Sequence, residues 1–322
     1  MGLLAMSPFF VKYLRSSHFK RLTVVTSVLV LSLGLSTPAE SDLEKPNQRP
    51  WVMHHISDEY LIANSLFPGD VNKDGCLDYS VIDEAAGTQT ILFHPGKSGD
   101  VRQPWFRLVL GKTNNPEYSC LADLDGDGNL DLVVVEGDDN EKGFKTGLRI
   151  LFGPEVENMK DASKWKDAGH VPGTEGEQYL YCVPVDINDD GITEVVFGGR
   201  RHPVTKKYAG LRWLQVPQEA EKRRDLSQYK VYFIDPEVTS AHGFVPSDID
   251  EDGDIDILDA NPDWDTSLFD QEVYWYENPG ADSPDLYKPW KKHSIWKTTQ
   301  FYPKPQTGLG DVNKDGHEDI VT

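Results

Sequence analysis

Asp123-Leu124-Asp125-Gly126-Asp127-Gly128-Asn129-Leu130-Asp131 sets carboxylates at its first, third, fifth and ninth positions around a glycine at the sixth, and the pattern returns four more times. The other copies are Asp70-Val-Asn72-Lys-Asp74-Gly75-Cys76-Leu-Asp78, Asp186-Ile-Asn188-Asp-Asp190-Gly191-Ile192-Thr-Glu194, Asp248-Ile-Asp250-Glu-Asp252-Gly253-Asp254-Ile-Asp256 and Asp311-Val-Asn313-Lys-Asp315-Gly316-His317-Glu-Asp319. Their first aspartates are 53, 63, 62 and 63 residues apart. Self-similarity at a period of this size marks stacked supersecondary units.

Short apolar runs with turn residues between them flank each loop and read as strands, four to a unit. One enters the loop, as in Gly243-Phe-Val-Pro246, and a second leaves it, as in Leu130-Asp-Leu-Val-Val-Val135 or Ile255-Asp-Ile-Leu258. A third carries an aromatic before a proline turn, in Ile91 to Pro95, Ile150 to Pro154, Arg212 to Pro217 and Val273 to Pro279. The fourth is least regular; its clearest copies, Trp51-Val-Met-His54-His-Ile56 and Trp290-Lys-Lys-His293-Ser-Ile295, match at Trp, His and Ile. Antiparallel units repeated without helices predict an all-β chain, and radial repetition of four-stranded blades, a β-propeller, protects the sheet edges. Residues 51–56 would supply one outer strand, four complete units follow, and residues 305–322 supply the first two strands of another. The ring does not close on that count, which predicts an incomplete propeller of four full blades plus parts of a fifth, cut from a larger parent. A closed five-bladed ring is the alternative.

With these loops and flanks the chain resembles the FG-GAP or VCBS repeat family of integrin-alpha-like β-propellers over residues 51–322. Phe197-Gly-Gly199 comes near the FG signature, while the other units depart from it. The resemblance implies blades that carry the Asp-rich loop between their first two strands, and proteins that serve mostly as binding or adhesion modules. Some related propellers have polysaccharide lyase or hydro-lyase activity.

Alternating side chains at positions 1, 3, 5 and 9 put three or four oxygen donors on one side of a tight turn, and position 7 adds a backbone carbonyl. Such hard donors suit calcium better than zinc or copper. The expected ligands are Asp70, Asn72, Asp74, Cys76 and Asp78; Asp123, Asp125, Asp127, Asn129 and Asp131; Asp186, Asn188, Asp190, Ile192 and Glu194; Asp248, Asp250, Asp252, Asp254 and Asp256; and Asp311, Asn313, Asp315, His317 and Asp319, with Cys76, Asn129, Ile192, Asp254 and His317 acting through their carbonyls. An EF-hand would need Glu at position 12, where Val81, Val134, Phe197, Asp259 and Thr322 stand. The side-chain positions hold 17 carboxylates, which repel one another without a cation. Up to five structural calcium ions are therefore expected.

Residues 1–39 read as a secretory signal: Lys12, Arg15, Lys20 and Arg21 precede the uncharged run Leu22 to Leu35, which ends in Ser36-Thr-Pro-Ala39. Residues 40–50 form a linker. An exported, extracellular, periplasmic or cell-surface location follows, with no membrane span after cleavage. The 322 residues carry 53 acidic and 32 basic side chains, a formal charge of −21, and loss of the signal removes four bases and no acid to give −25. A phosphate-backbone binder is excluded by that charge. Cys76, Cys120 and Cys182 form neither a disulfide framework nor a zinc motif.

If the loops occupy one end of each sheet, the starts of first strands and ends of second strands meet at the other. This gathers Glu117, Tyr118, Tyr179, Arg200, Arg201 and His242 as candidate ligand-binding residues, a mixture suited to a sugar, another polysaccharide or a protein ligand. Glu117 and Glu136 would be a carboxylate pair at that end. No nucleophile elbow, phosphate loop, dinucleotide fingerprint or zinc-protease motif is present, so the enzyme case is weak and no catalytic residue is assigned. The first reading is a secreted calcium-binding interaction or carbohydrate-binding module. A polysaccharide lyase using His242, Tyr118 or Tyr179 for proton transfer and Arg200 or Arg201 to neutralise a uronate is the alternative.

Overall fold

A computed structural model describes residues 52–113, 115–137, 146–200, 209–238, 241–261, 271–298 and 308–321. The expected signal and linker, Trp51 and Arg201 lie outside these residues. The described chain is all-β, built of consecutive antiparallel meanders. The first sheet contains β1 (Ala63–Gly69), β2 (Asp78–Asp83), β3 (Thr88–Phe93) and β4 (Phe106–Lys112), paired in that order. The second contains β5 (Pro116–Ala122), β6 (Asp131–Glu136), β7 (Leu148–Phe152) and β8 (Lys166–His170). The third contains β9 (Gln178–Val185), β10 (Glu194–Arg200), β11 (Leu211–Gln215) and β12 (Lys230–Asp235), and the fourth β13 (Phe244–Ser247), β14 (Asp256–Asn261), β15 (Gln271–Glu277) and β16 (Lys291–Thr298). β17 (Gly308–Gly310) and β18 (Asp319–Val321) pair as a two-stranded sheet. Each Asp-rich loop joins the first strand of its sheet to the second.

Successive side chains of a strand point to opposite faces, and here both faces are covered. Leu132 and Val134 of β6 enter a core with Ile82, Ile91 and Phe93 of the first sheet, whereas Val133 and Val135 enter one with Tyr179, Val195 and Phe197 of the third. That is why Leu132 to Val135 is a continuous apolar run and not an alternating one. A third core joins Val196 and Trp213 to Phe244, Ile257 and Tyr274, and a smaller one sets Leu258 and Val273 against Leu309 and Ile320. Each such fully buried aliphatic side chain contributes about 1.5–3 kcal/mol. β1 lies against β5, and β5 against β9, so first strands of neighbouring sheets are adjacent.

Two regularities mark the outer strand. In every four-stranded sheet the register between third and fourth strands slips once, at Gln89/Thr90, Ile150/Leu151, Leu211/Arg212 and Val273/Tyr274, a bulge that increases local twist. An aromatic residue, Trp105, Trp165, Tyr229 or Trp290, directly precedes the fourth strand. Its polar atom donates back to the preceding turn: Trp105 Nε1 to Val101 O at 3.1 Å, Trp165 Nε1 to Met159 O at 3.0 Å, Tyr229 Oη to Arg223 O at 2.5 Å and Trp290 Nε1 to Leu286 O at 3.1 Å.

Residues 52–56, expected to finish an outer strand, form none. Ile56 O accepts from Trp105 N at 2.8 Å, but no ladder follows. The equivalence of His54 and His293 fails with it. His54 is exposed, whereas His293 on β16 stacks on Trp275 at 4.4 Å and binds Glu277 Oε2 at 2.5 Å.

Candidate metal centres and the opposite sheet ends

All five loops fold alike. The fourth residue is left-handed in each, with φ of 55° at Lys73, 77° at Gly126, 51° at Asp189, 61° at Glu251 and 63° at Lys314. The sixth is always a glycine with φ between 80° and 103°. An L-residue held there costs about 1–2 kcal/mol, so glycine at position 6 is a conformational requirement.

Three hydrogen bonds recur in every copy. The first aspartate accepts from the sixth-position N–H, with Asp70, Asp123, Asp186, Asp248 and Asp311 bound by Gly75, Gly128, Gly191, Gly253 and Gly316 at 2.8–3.1 Å. The fifth-position carboxylate accepts from the seventh N–H, as Asp74 from Cys76 and Asp315 from His317. The ninth-position acid accepts from the second N–H: Asp78 from Val71, Asp131 from Leu124, Glu194 from Ile187, Asp256 from Ile249 and Asp319 from Val312, at 2.8–3.2 Å. In three sheets its other oxygen accepts from the end of the third strand, from His94, Gly153 and Asn278, each at 2.8 Å. The longer Glu194 reaches Asn188 Nδ2 instead, at 3.1 Å.

This geometry converges carboxylates. Ligand atoms of Asp123, Asp125 and Asp131 lie within 4.8 Å of one another, as do those of Asp248, Asp250 and Asp256. Burial, and then the charges of Asp125 and Asp123, push Asp131 up to about 8. Burial with Asp190 and Asp186 does the same for Glu194, also to about 8, and burial with Asp250 and Asp252 lifts Asp256 to about 6. Asp78 is likewise raised, by burial first. Clustered oxygens whose charge is this disfavoured fit a hard divalent cation, which would reverse the shifts.

At the opposite ends of the sheets the expected ligand residues have the following local partners. Asn64 Nδ2 donates to Glu117 Oε2 at 3.0 Å, bridging β1 and β5. Tyr118 is half-buried against Tyr181, ring centroids 4.4 Å apart, and burial followed by Tyr181 raises its hydroxyl. Gln178 and Arg200 are register partners between β9 and β10. His242 lies close enough to Arg200 that burial and this charge together lower its pKa.

Two expectations at this end are corrected. Tyr179 is fully buried, its ring against Phe197 at 5.1 Å with Arg212 5.6 Å from its centroid, because its side of β9 packs into the core shared with the second sheet. Glu136, expected beside Glu117 at the open end, is instead buried, accepting from Arg149 Nε at 2.9 Å and facing His170 Nε2 at 2.7 Å. Sequence reasoning missed both partners, since Arg149 and His170 come from β7 and β8 and only their cross-strand pairing unites them with β6.

Among the described residues no helix is long and apolar enough to cross a membrane. The chain matches no protein-family model and no curated protein. Among solved structures it is similar to an Agrocybe aegerita lectin described as recognising non-reducing terminal N-acetylglucosamine, at 13% identity and a TM-score of 0.45. The match covers 79% of this chain and 59% of the lectin chain.

Proposed function

We propose that the chain is an exported, calcium-binding β-propeller of the FG-GAP/VCBS type that acts as an interaction or carbohydrate-binding module. The observation that carries this reading is the loop set: five copies share two left-handed positions and three recurring backbone clamps, all at the same end of their sheets, and in the second and fourth the acids converge. Adjacent first strands and cores between consecutive sheets support radial stacking. Calcium would be held by the acids and amides at loop positions 1, 3, 5 and 9, where it would offset their mutual repulsion and fix each turn. The ligand face is then the other end, around Glu117, Tyr118, Arg200 and His242, with a polysaccharide or protein as partner.

The lyase reading is the weaker one. The Tyr179 hydroxyl is buried and without a hydrogen-bond partner among the described residues, which removes it from that reading, and the Tyr118 ring is half-buried against Tyr181. The test is retention of the calcium-loaded chain on neutral and uronate-containing polysaccharides, with ultraviolet absorbance followed for unsaturated products. Retention without absorbance supports the module. Rising absorbance establishes the lyase instead, and neither on any glycan removes the carbohydrate reading.

A further inference from the structure

Loop 2 already holds a cation. In the connection between β11 and β12, Arg224 reaches from the third sheet to the loop of the second, its Nε 2.5 Å from Asp125 Oδ2 and its Nη2 2.9 Å from Asp127 Oδ2. These two oxygens are the only ones left over. Asp123 spends both of its oxygens on Gly126 and Gly128, and Asp131 spends both on Leu124 and Gly153. Asp125 Oδ1 and Asp127 Oδ1 accept from the N–H groups of Asp127 and Asn129. The guanidinium thus takes the carboxylate oxygens that the loop's own backbone does not.

Loop 4 is the internal control. It has the same four acids, at Asp248, Asp250, Asp252 and Asp256, with converging ligand atoms. Among the described residues none of the four forms an ion pair; the nearby His317 contact goes to Glu251. The second sheet supplies a further comparison. Lys160-Asp161-Ala-Ser163-Lys-Trp165 aligns with Arg224-Asp225-Leu-Ser227-Gln-Tyr229, and in both the aspartate accepts from the serine N–H at 3.0 Å. Lys160 also reaches back one sheet, lying over Phe93 at 5.0 Å as Arg224 lies over Phe152 at 5.6 Å. Loop 1 offers Asn72 where loop 2 offers Asp125, and Lys160 forms no ion pair there among the described residues. An acid at loop position 3 and an arginine in the next sheet thus coincide at loop 2.

We propose that Arg224 is the resident cation of loop 2 and sets its selectivity: calcium must expel the guanidinium to enter, so loop 2 binds calcium more weakly than loop 4, and its filling unlatches the β11–β12 connection from the second sheet. This rests on the calcium reading above. Mutual exclusion is a coupling between two cations for one site, and coupling of this kind changes affinity by about tenfold or more.

The test is calcium titration calorimetry on the full chain, on Arg224→Gln, on Arg224→Lys, and on Arg224→Gln combined with Asp125→Asn and Asp127→Asn. Arg224→Gln should convert one weak site into one about tenfold tighter, and the combined variant should lose that gain. Arg224→Lys, keeping the charge, should stay near the parent isotherm. Melting of the metal-free proteins confirms that each variant folds. An unchanged isotherm in Arg224→Gln, a weakened one, or a gain that survives the loop 2 substitutions overturns the assignment of Arg224 while leaving calcium binding intact. No heat of calcium binding in any of the four proteins instead overturns the calcium reading itself.

Discussion

A methyl group on Gly199 would overlap the carbonyl oxygen of Gln178, its neighbour across the β9–β10 ladder. The strands slip register between Gly198 and Gly199, which brings the two backbones together, and Gly198 meets Ala241 and Phe244 on the fourth-sheet side. Gly199→Ala should therefore cost about 3 kcal/mol or more, as expected for overpacking against backbone that cannot yield. Gly191→Ala, at φ 81° with nothing within 4 Å of its Cβ, should cost only the left-handed penalty, about 1–2 kcal/mol. Denaturant unfolding of both variants checks the difference, and equal losses would mean the bulge relaxes.

Glu136 sits with no exposed side-chain surface between Arg149 and His170, while Asp167, which also binds Arg149 at 2.8 Å, is half exposed. Replacing Glu136 leaves the largely buried Arg149 with only the half-exposed Asp167 as its counter-charge. Glu136→Gln should lower stability by about 2–4 kcal/mol, whereas Asp167→Asn should cost less than about 1 kcal/mol because water screens that contact. Urea midpoints at fixed pH decide it. A larger loss from Asp167→Asn would place the strength of the network at the surface.

The sheets were legible because each rule was local and repeated. Every Asp-rich turn, every second strand and every aromatic third strand lies where its pattern stands in the sequence. The Trp-x-x-His-x-Ile string does not mark the outer strand, since residues 52–56 form none; its marker is one aromatic that caps the preceding turn, Trp105, Trp165, Tyr229 or Trp290, in segments with no residue pattern common to all four. Periodicity cannot show that Tyr229 replaces Trp through a hydroxyl. At the ligand end the limit was different: Tyr179 is buried by the neighbouring sheet and Glu136 by Arg149 and His170 from later strands of its own, and the spacing along one strand encodes neither. Arg224 was invisible for the same reason, since its partners are about 100 residues away in sequence.

Asp259 should give the fold a measurable acid preference. Burial lifts its carboxyl to about 7, against the opposing pull of the Tyr274 hydroxyl, which donates to Oδ2 at 3.1 Å, and of Lys292; nearby Asp235 adds to the lift. The folded pKa is above the unfolded one, so the native state binds the proton more tightly and this contribution is complete below about pH 4 and lost as pH rises to 7. Asp259→Asn should flatten the stability profile over that window and exceed the parent above pH 7 by about 2–4 kcal/mol. Unfolding free energies measured from pH 4 to 8 test the sign. A parent profile that climbs through this window in step with Asp259 would show that the acid is ionised in the fold.

Calcium should act on the whole chain through its loops, because each turn ties the first strand of a sheet to the second and, through Asp78, Asp131 and Asp256, to the third. A cation that binds only the folded turn adds about 2.7 kcal/mol per site at a hundredfold excess over its dissociation constant. Two filled loops would then raise the melting temperature by about 10 °C or more in a chain of this size. Chelation should return it, magnesium should substitute poorly because it demands a tighter octahedron than these flexible oxygens offer, and Asp250→Asn should remove part of the gain by weakening loop 4. Melting followed in calcium, in magnesium and in chelator separates the outcomes. A transition that stays put in all three would mean that the backbone amides alone satisfy these acids and that the turns fold without metal.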